Sequence, residues 1–223
     1  MLRPPVTPSS RLRTALAALP LALYTVLHLA EQWAVFDGRS AWVARMHRTS
    51  RGPVALAVEL VVILAPLALT AFWTVLDVLA RRPLPGAARP DDTGVVRVLG
   101  RLAPFGTVTA LVFLAVHVGT LWGPKVFASA TELQTWRTLQ VGLASPAMLV
   151  FHAVGLTAVA VHLAASLPAA SVSLGWVRSD EGRRSAWLVS SVFALCVWVL
   201  AAQLVGWIGT GTGTFWPITV SER

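Results

Sequence analysis

The chain has 223 residues, 56% of them hydrophobic and 13% charged, with a formal net charge of +8. A soluble domain carries roughly 25% charged residues, so this composition, with a mean hydropathy of +0.68, excludes an ordinary water-soluble globule. The basic balance would suit nucleic acid in a soluble protein, but here the charges fall in short segments between apolar blocks, where they bear on membrane orientation instead. Nucleic-acid binding is therefore set aside. The single cysteine, Cys196, excludes an intrachain disulfide and a thiolate-rich metal or iron–sulfur site.

The apolar residues form five blocks, 14–34, 54–79, 104–122, 147–169 and 186–208. Each is long enough, at about 1.5 Å per residue, to cross roughly 30 Å of hydrocarbon. The expected architecture is all-α: a polytopic membrane protein whose five transmembrane helices form one integral membrane domain over residues 1–223, with no separate soluble domain. Arginines precede the first block as in a signal peptide, but Glu31-Gln32-Trp33 follows it without a small-residue cleavage site, so it reads as a retained span. Counting Lys and Arg on alternate sides puts eleven with the N-terminus and seven with the C-terminus. That bias predicts a cytoplasmic N-terminus and an outside C-terminus, in the cell's inner (cytoplasmic) membrane.

Local chemistry places the boundaries. Pro53 opens the second span, Arg82-Pro83-Leu84-Pro85-Gly86 stops it, and Ser145-Pro146 reads as an N-cap followed by proline at the first helical position. Asp77 and Arg81 stand at i,i+4 and predict a structural salt bridge. The run Gly209-Thr210-Gly211-Thr212-Gly213 follows a span rather than a strand and has no lysine, so it reads as a flexible exit from the membrane rather than a phosphate loop. Trp33, Trp42, Trp122, Trp136, Trp176, Trp187, Trp207 and Trp216 fall near span ends, where indoles anchor at the interface. Cys196 lies mid-span and reads as a small packing residue. No nucleophile–base–orienter set and no dinucleotide fingerprint is present, so no catalytic residue is assigned.

Ionisable side chains inside a membrane are costly and point to function. His28 lies 15 residues past Arg13 and His117 lies 16 past Arg101, which places both roughly 22–24 Å from the cytoplasmic edge. His162, on a descending helix, falls roughly 14 Å from that edge, and His152 about 15 Å further out on the same helix. Two imidazoles at one depth suit a low-spin haem b, whose iron takes one nitrogen on each side of the macrocycle. They equally suit two histidines that each hydrogen-bond a neighbouring helix. Glu59 and Glu31, near the outer ends of their spans, are candidates to relay protons to a quinone; the plainer reading is an interfacial carboxylate, with Arg51 as a partner for Glu59. His47 reads as solvated or interfacial, and Arg45, Arg48 and Arg51 around it suit lipid phosphates or haem propionates.

Four segments carry a resemblance over the whole chain. They are Arg11-Leu12 with Pro20 and Leu27-His28-Leu29; Glu59 with Ala65-Pro66-Leu67; Leu111-Val112-Phe113 with His117-Val118; and Leu143-Ala144-Ser145-Pro146-Ala147-Met148-Leu149 with Val154-Gly155 and His162. In these the chain resembles the five-helix, dihaem cytochrome b subunit (b558 type) of succinate dehydrogenases and fumarate reductases, the membrane anchor of complex II. The resemblance implies a chain that docks a flavoprotein and an iron–sulfur subunit on the cytoplasmic face and passes electrons between succinate and menaquinone. It implies an outer haem b on His28 and His117 and an inner one with His162 as a ligand. The second-helix position that would complete the inner pair is Thr70, and a hydroxyl is a poor replacement for imidazole on haem iron. Near the N-terminus, Arg13-Thr14 stands where the family commonly has His-Ser. A stand-alone bis-histidine membrane cytochrome and a haem-free anchor or small transporter remain the competing readings.

Overall fold

The computed structural model describes residues 8–49, 52–80, 94–128 and 130–211. Every element among the described residues is helical. Five stretches are long and apolar enough to cross a membrane: Arg11–Asp37, Leu56–Leu79, Val96–Leu121, Pro146–Ser173 and Asp180–Thr210. The chain is thus a multi-pass membrane protein. Its surface agrees, because Leu23, Val61, Phe105, Leu188 and Val189 stand 63–73% exposed in mid-span, a pattern that suits lipid and not water.

The first span is α1 (Pro8–Gln32), which carries Pro20 inside it and tightens into a 3₁₀ segment at Trp33–Asp37. The second is α3 (Gly52–Val58), a π segment (Glu59–Leu64) and α4 (Ala65–Leu79). Pro66 has no N–H to offer Val62, and its ring crowds the carbonyl one turn back, so the wider turn ahead of it has a local cause. The third is α5 (Gly94–Ala128), the fourth α7 (Pro146–Ser173) and the fifth α8 (Asp180–Thr210). α5 begins ten residues before the expected block, because an α-helix continues beyond the apolar run and Pro104 is carried within it. Ser145 occupies the N-cap of α7 in extended conformation with proline in the first turn, although its side chain makes no cap hydrogen bond.

The central helix is α7, which packs against α1, α5 and α8, while α4 joins α1 and α5. Its small residues Ala158, Ala164 and Ala165 are buried with Val159 and Leu163, which lets the backbones approach closely where no hydrophobic force draws helices together in lipid. Three spans (α1, α5 and α8) run one way and two return. At one end Arg13 of α1 is paired with Asp77 of α4 and lies 5.3 Å over the ring of Trp73. Asp77 thereby ties two spans together; Arg81, its expected i,i+4 partner, lies outside the described residues. Thr14 and Ser173 hydroxyls also meet at that end.

The other end is closed by two helices in segments read from sequence as loops, α2 (Arg39–Thr49) and α6 (Glu132–Leu143). α6 starts on a capping box, in which Thr131 accepts from the Gln134 N–H and Gln134 accepts from the Thr131 N–H. Trp42 and Trp136 are only 2% and 4% exposed and meet at 5.2 Å between ring centres, so these two indoles are the core of the cap and not interfacial anchors. Trp187 is buried as well, whereas Trp33 and Trp176 are exposed as anchors should be; Trp216 lies outside the described residues. His47 is not simply solvated, since its Nδ1 stands 3.5 Å from Glu132. Gly209 is still helical and presses on α6: a Cβ there would come 2.7 Å from the Leu143 carbonyl oxygen. The glycine run therefore begins as a close packing contact; Thr212 and Gly213 lie outside the described residues. Cys196 is exposed on α8, so it faces outward from the bundle and is not a packing residue.

Candidate functional site

Under the cap lies a cavity of about 170 Å³ bounded by α1, α2, α5, α6, α7 and α8. Its walls include His28, Glu31 and Gln32 of α1, Phe113 and His117 of α5, His152 of α7 and Trp198 of α8. His28 and His117 face each other at 6.2 Å between ring centres with their planes crossed at 86°. His152 stands 5.8 Å from His117. The axial count placed His152 about one helical turn further out than the other pair, but side-chain direction and helix tilt absorb an offset of that size.

Each histidine is oriented by its own helix, from the preceding turn. Tyr24 stacks on His28 at 5.2 Å, with its hydroxyl 3.4 Å from Nδ1. Phe113 stacks on His117 at 5.5 Å. The Nδ1–H of His152 donates to the Met148 carbonyl at 2.8 Å, which leaves Nε2 as the unprotonated nitrogen of the neutral ring. All three supports come from i−4, the neighbour position on a helix face. Phe113 is seated in turn by Gly155: a Cβ on Gly155 would lie 2.0 Å from the ring. An aromatic residue four positions before a mid-span histidine was therefore a readable signal of an oriented ring, and it was missed for both His28 and His117.

The remaining sequence candidates fall elsewhere. Glu31 lines the capped cavity with the three histidines. Glu59 opens the π segment on the second span; its side chain and Arg51 lie outside the description. His162 lies in a second, smaller cavity of about 70 Å³ toward the Arg13–Asp77 end. Both of its ring nitrogens are engaged: Nε2–H donates to the Ala17 carbonyl at 2.7 Å, and Nδ1 accepts from the Thr107 hydroxyl at 2.9 Å. Thr70, the position expected to complete a pair with His162, donates its hydroxyl to the Pro66 carbonyl at 2.8 Å. His162 thus joins three spans, and its lone pair is not directed at open space.

Two imidazoles trans on one metal, with metal–nitrogen bonds of about 2.0–2.1 Å and ring centres about 1.1 Å beyond, stand about 6.3 Å apart. His28 and His117 match that spacing at 6.2 Å. Among the described residues no three His, Cys, Asp or Glu side chains converge to hold a metal ion. A metal that brings its own equatorial ligands needs only two protein ligands. No known protein family, curated protein or solved structure matches the chain.

Proposed function

We propose that the chain is a membrane cytochrome b, with His28 and His117 as the residues that would hold one haem b in the capped cavity. The observation that carries this reading is the 6.2 Å separation between the rings of two imidazoles from different spans that line one cavity. When bound, such a group supplies reversible one-electron redox chemistry. Tyr24 and Phe113 hold the two rings in place from the turn before, and Gly155 makes room for Phe113. Leu114, Leu121, Leu156 and Val159 line the same space and keep it apolar, and Glu31 and Gln32 provide its polar edge. Glu31 is in place to carry a proton to a reduced quinone at that edge, and Glu59 is retained as a second carboxylate for that role.

The finer reading rests on the sequence resemblance: the anchor subunit of a succinate dehydrogenase or fumarate reductase, bound to flavoprotein and iron–sulfur subunits at the cytoplasmic face and serving menaquinone. With it go a cytoplasmic N-terminus and residence in the cell's inner membrane, which the arginine bias supports. The residues around His162 do not fit a second haem, because both ring nitrogens are taken and Thr70 is turned to its own backbone. At that position the competing view, of a histidine that joins helices, is favoured.

Pyridine haemochrome analysis of the purified full chain tests the reading. One haem per chain is expected. A ratio near zero overturns the cytochrome, a ratio near two overturns the single site, and co-purification of flavin and iron–sulfur partners separates the anchor from a stand-alone cytochrome.

A further inference from the structure

The smaller cavity gathers a cluster of hydroxyls inside the bundle. Its walls carry Thr70, Thr74, Thr107, His162 and Ser166, with Arg13 at one edge. Hydroxyls on these helices follow one habit: those of Thr25, Thr70, Thr74, Thr157 and Ser171 donate to the carbonyl four residues back. Ser166 breaks it. Its Oγ is buried and has no hydrogen-bond partner, although the His162 carbonyl is the one four residues back, and a buried polar group without a partner points to a molecule that satisfies it.

The chemistry of the walls selects that molecule. Thr70 and Thr74 have spent their protons on their own backbone and present only lone pairs, so the occupant must donate. The Ser166 hydroxyl has a proton to give, so the occupant must also accept. Arg13 is neutralised by Asp77, and His162 is satisfied within the bundle, so no net charge calls for an ion. A quinone carbonyl only accepts and would leave the threonine lone pairs facing it. A volume of about 70 Å³ holds about two waters at roughly 30 Å³ each.

We propose that this cavity is a resident water site, which carries solvent from the Arg13–Asp77 end of the bundle to the depth of His162. Ser166 and the two threonines anchor the cluster, and the Arg13–Asp77 pair stands at its mouth. The effect is a route by which protons reach the interior of the span region, independent of whether a haem sits under the cap.

Thiol accessibility in membrane-embedded full-length protein tests the site. The thiolate, which is the reactive species, forms only where water reaches the sulfur, so Ser166→Cys in a Cys196→Ser background reacts with a small cationic methanethiosulfonate at least about tenfold faster than native Cys196. Equal rates at the two positions overturn the proposal. Radiolytic hydroxyl-radical labelling of the unsubstituted chain decides the matter without any substitution. Labelling of His162 with its neighbour Leu163 left untouched is expected, and absence of label on His162 overturns the water site.

Discussion

The chain places histidines in two cavities of one bundle and treats them differently. Under the cap, His28, His117 and His152 are stacked or hydrogen-bonded from their own helices and converge on shared space. Toward the Arg13–Asp77 end, His162 is held across helices by a carbonyl of α1 and a hydroxyl of α5. A membrane histidine supported from within its own helix keeps its outward nitrogen available for something else. One satisfied by neighbouring spans has already been used, as an interhelical clasp. The partner set, more than the residue type or its depth, separates a candidate ligand from a structural group.

The sharpest way to break the contrast is substitution at three of these positions. His28→Ala or His117→Ala is expected to remove essentially all haem from the purified chain, whereas His162→Leu retains it; pigment retained in the first two variants, or lost in the third, would reverse the roles. His162→Leu should instead lower stability by about 2–4 kcal/mol, because the Ala17 carbonyl and the Thr107 hydroxyl lose their partner together. Thermal unfolding in detergent reads this directly. Gly155→Ala tests how far the capped cavity depends on Phe113: overpacking against that ring costs about 1–3 kcal/mol and should weaken haem retention as His117 loses its stacking neighbour. The smallest effect is expected at the cap itself, where Thr131→Ala removes the N-cap of α6 for about 0.5–1 kcal/mol and leaves the pigment unchanged.

The spans were legible because runs of apolar residues in lipid have few alternatives to helix. The matched depths of His28 and His117 were legible for a similar reason, since rise per residue is nearly constant along a helix. Rotation and packing were not. Nothing in the axial count shows that His152 turns toward His117, or that Asp77 reaches across to Arg13 on α1. The helices α2 and α6 were hidden because their polar residues resemble loops, yet Trp42 with Met46, and Thr135 and Trp136 with Leu139 and Leu143, mark one buried face of each. Thr70 was read as a missing ligand; its bond to the Pro66 carbonyl shows a hydroxyl serving its own helix.

The π segment at Glu59–Leu64 also sets a rotational phase. Each residue of an α-helix turns the chain by about 100°, so the extra residue accommodated in a wide turn rotates everything after it relative to everything before. The buried stripe of Leu67, Thr70, Ala71, Thr74 and Asp77 faces the bundle with that added turn included. Deleting one residue from the segment would return the span to regular winding, and the two halves of that span could no longer both keep their present faces. The membrane surface of one half and the Arg13 contact of the other are therefore geared together through a single turn of backbone.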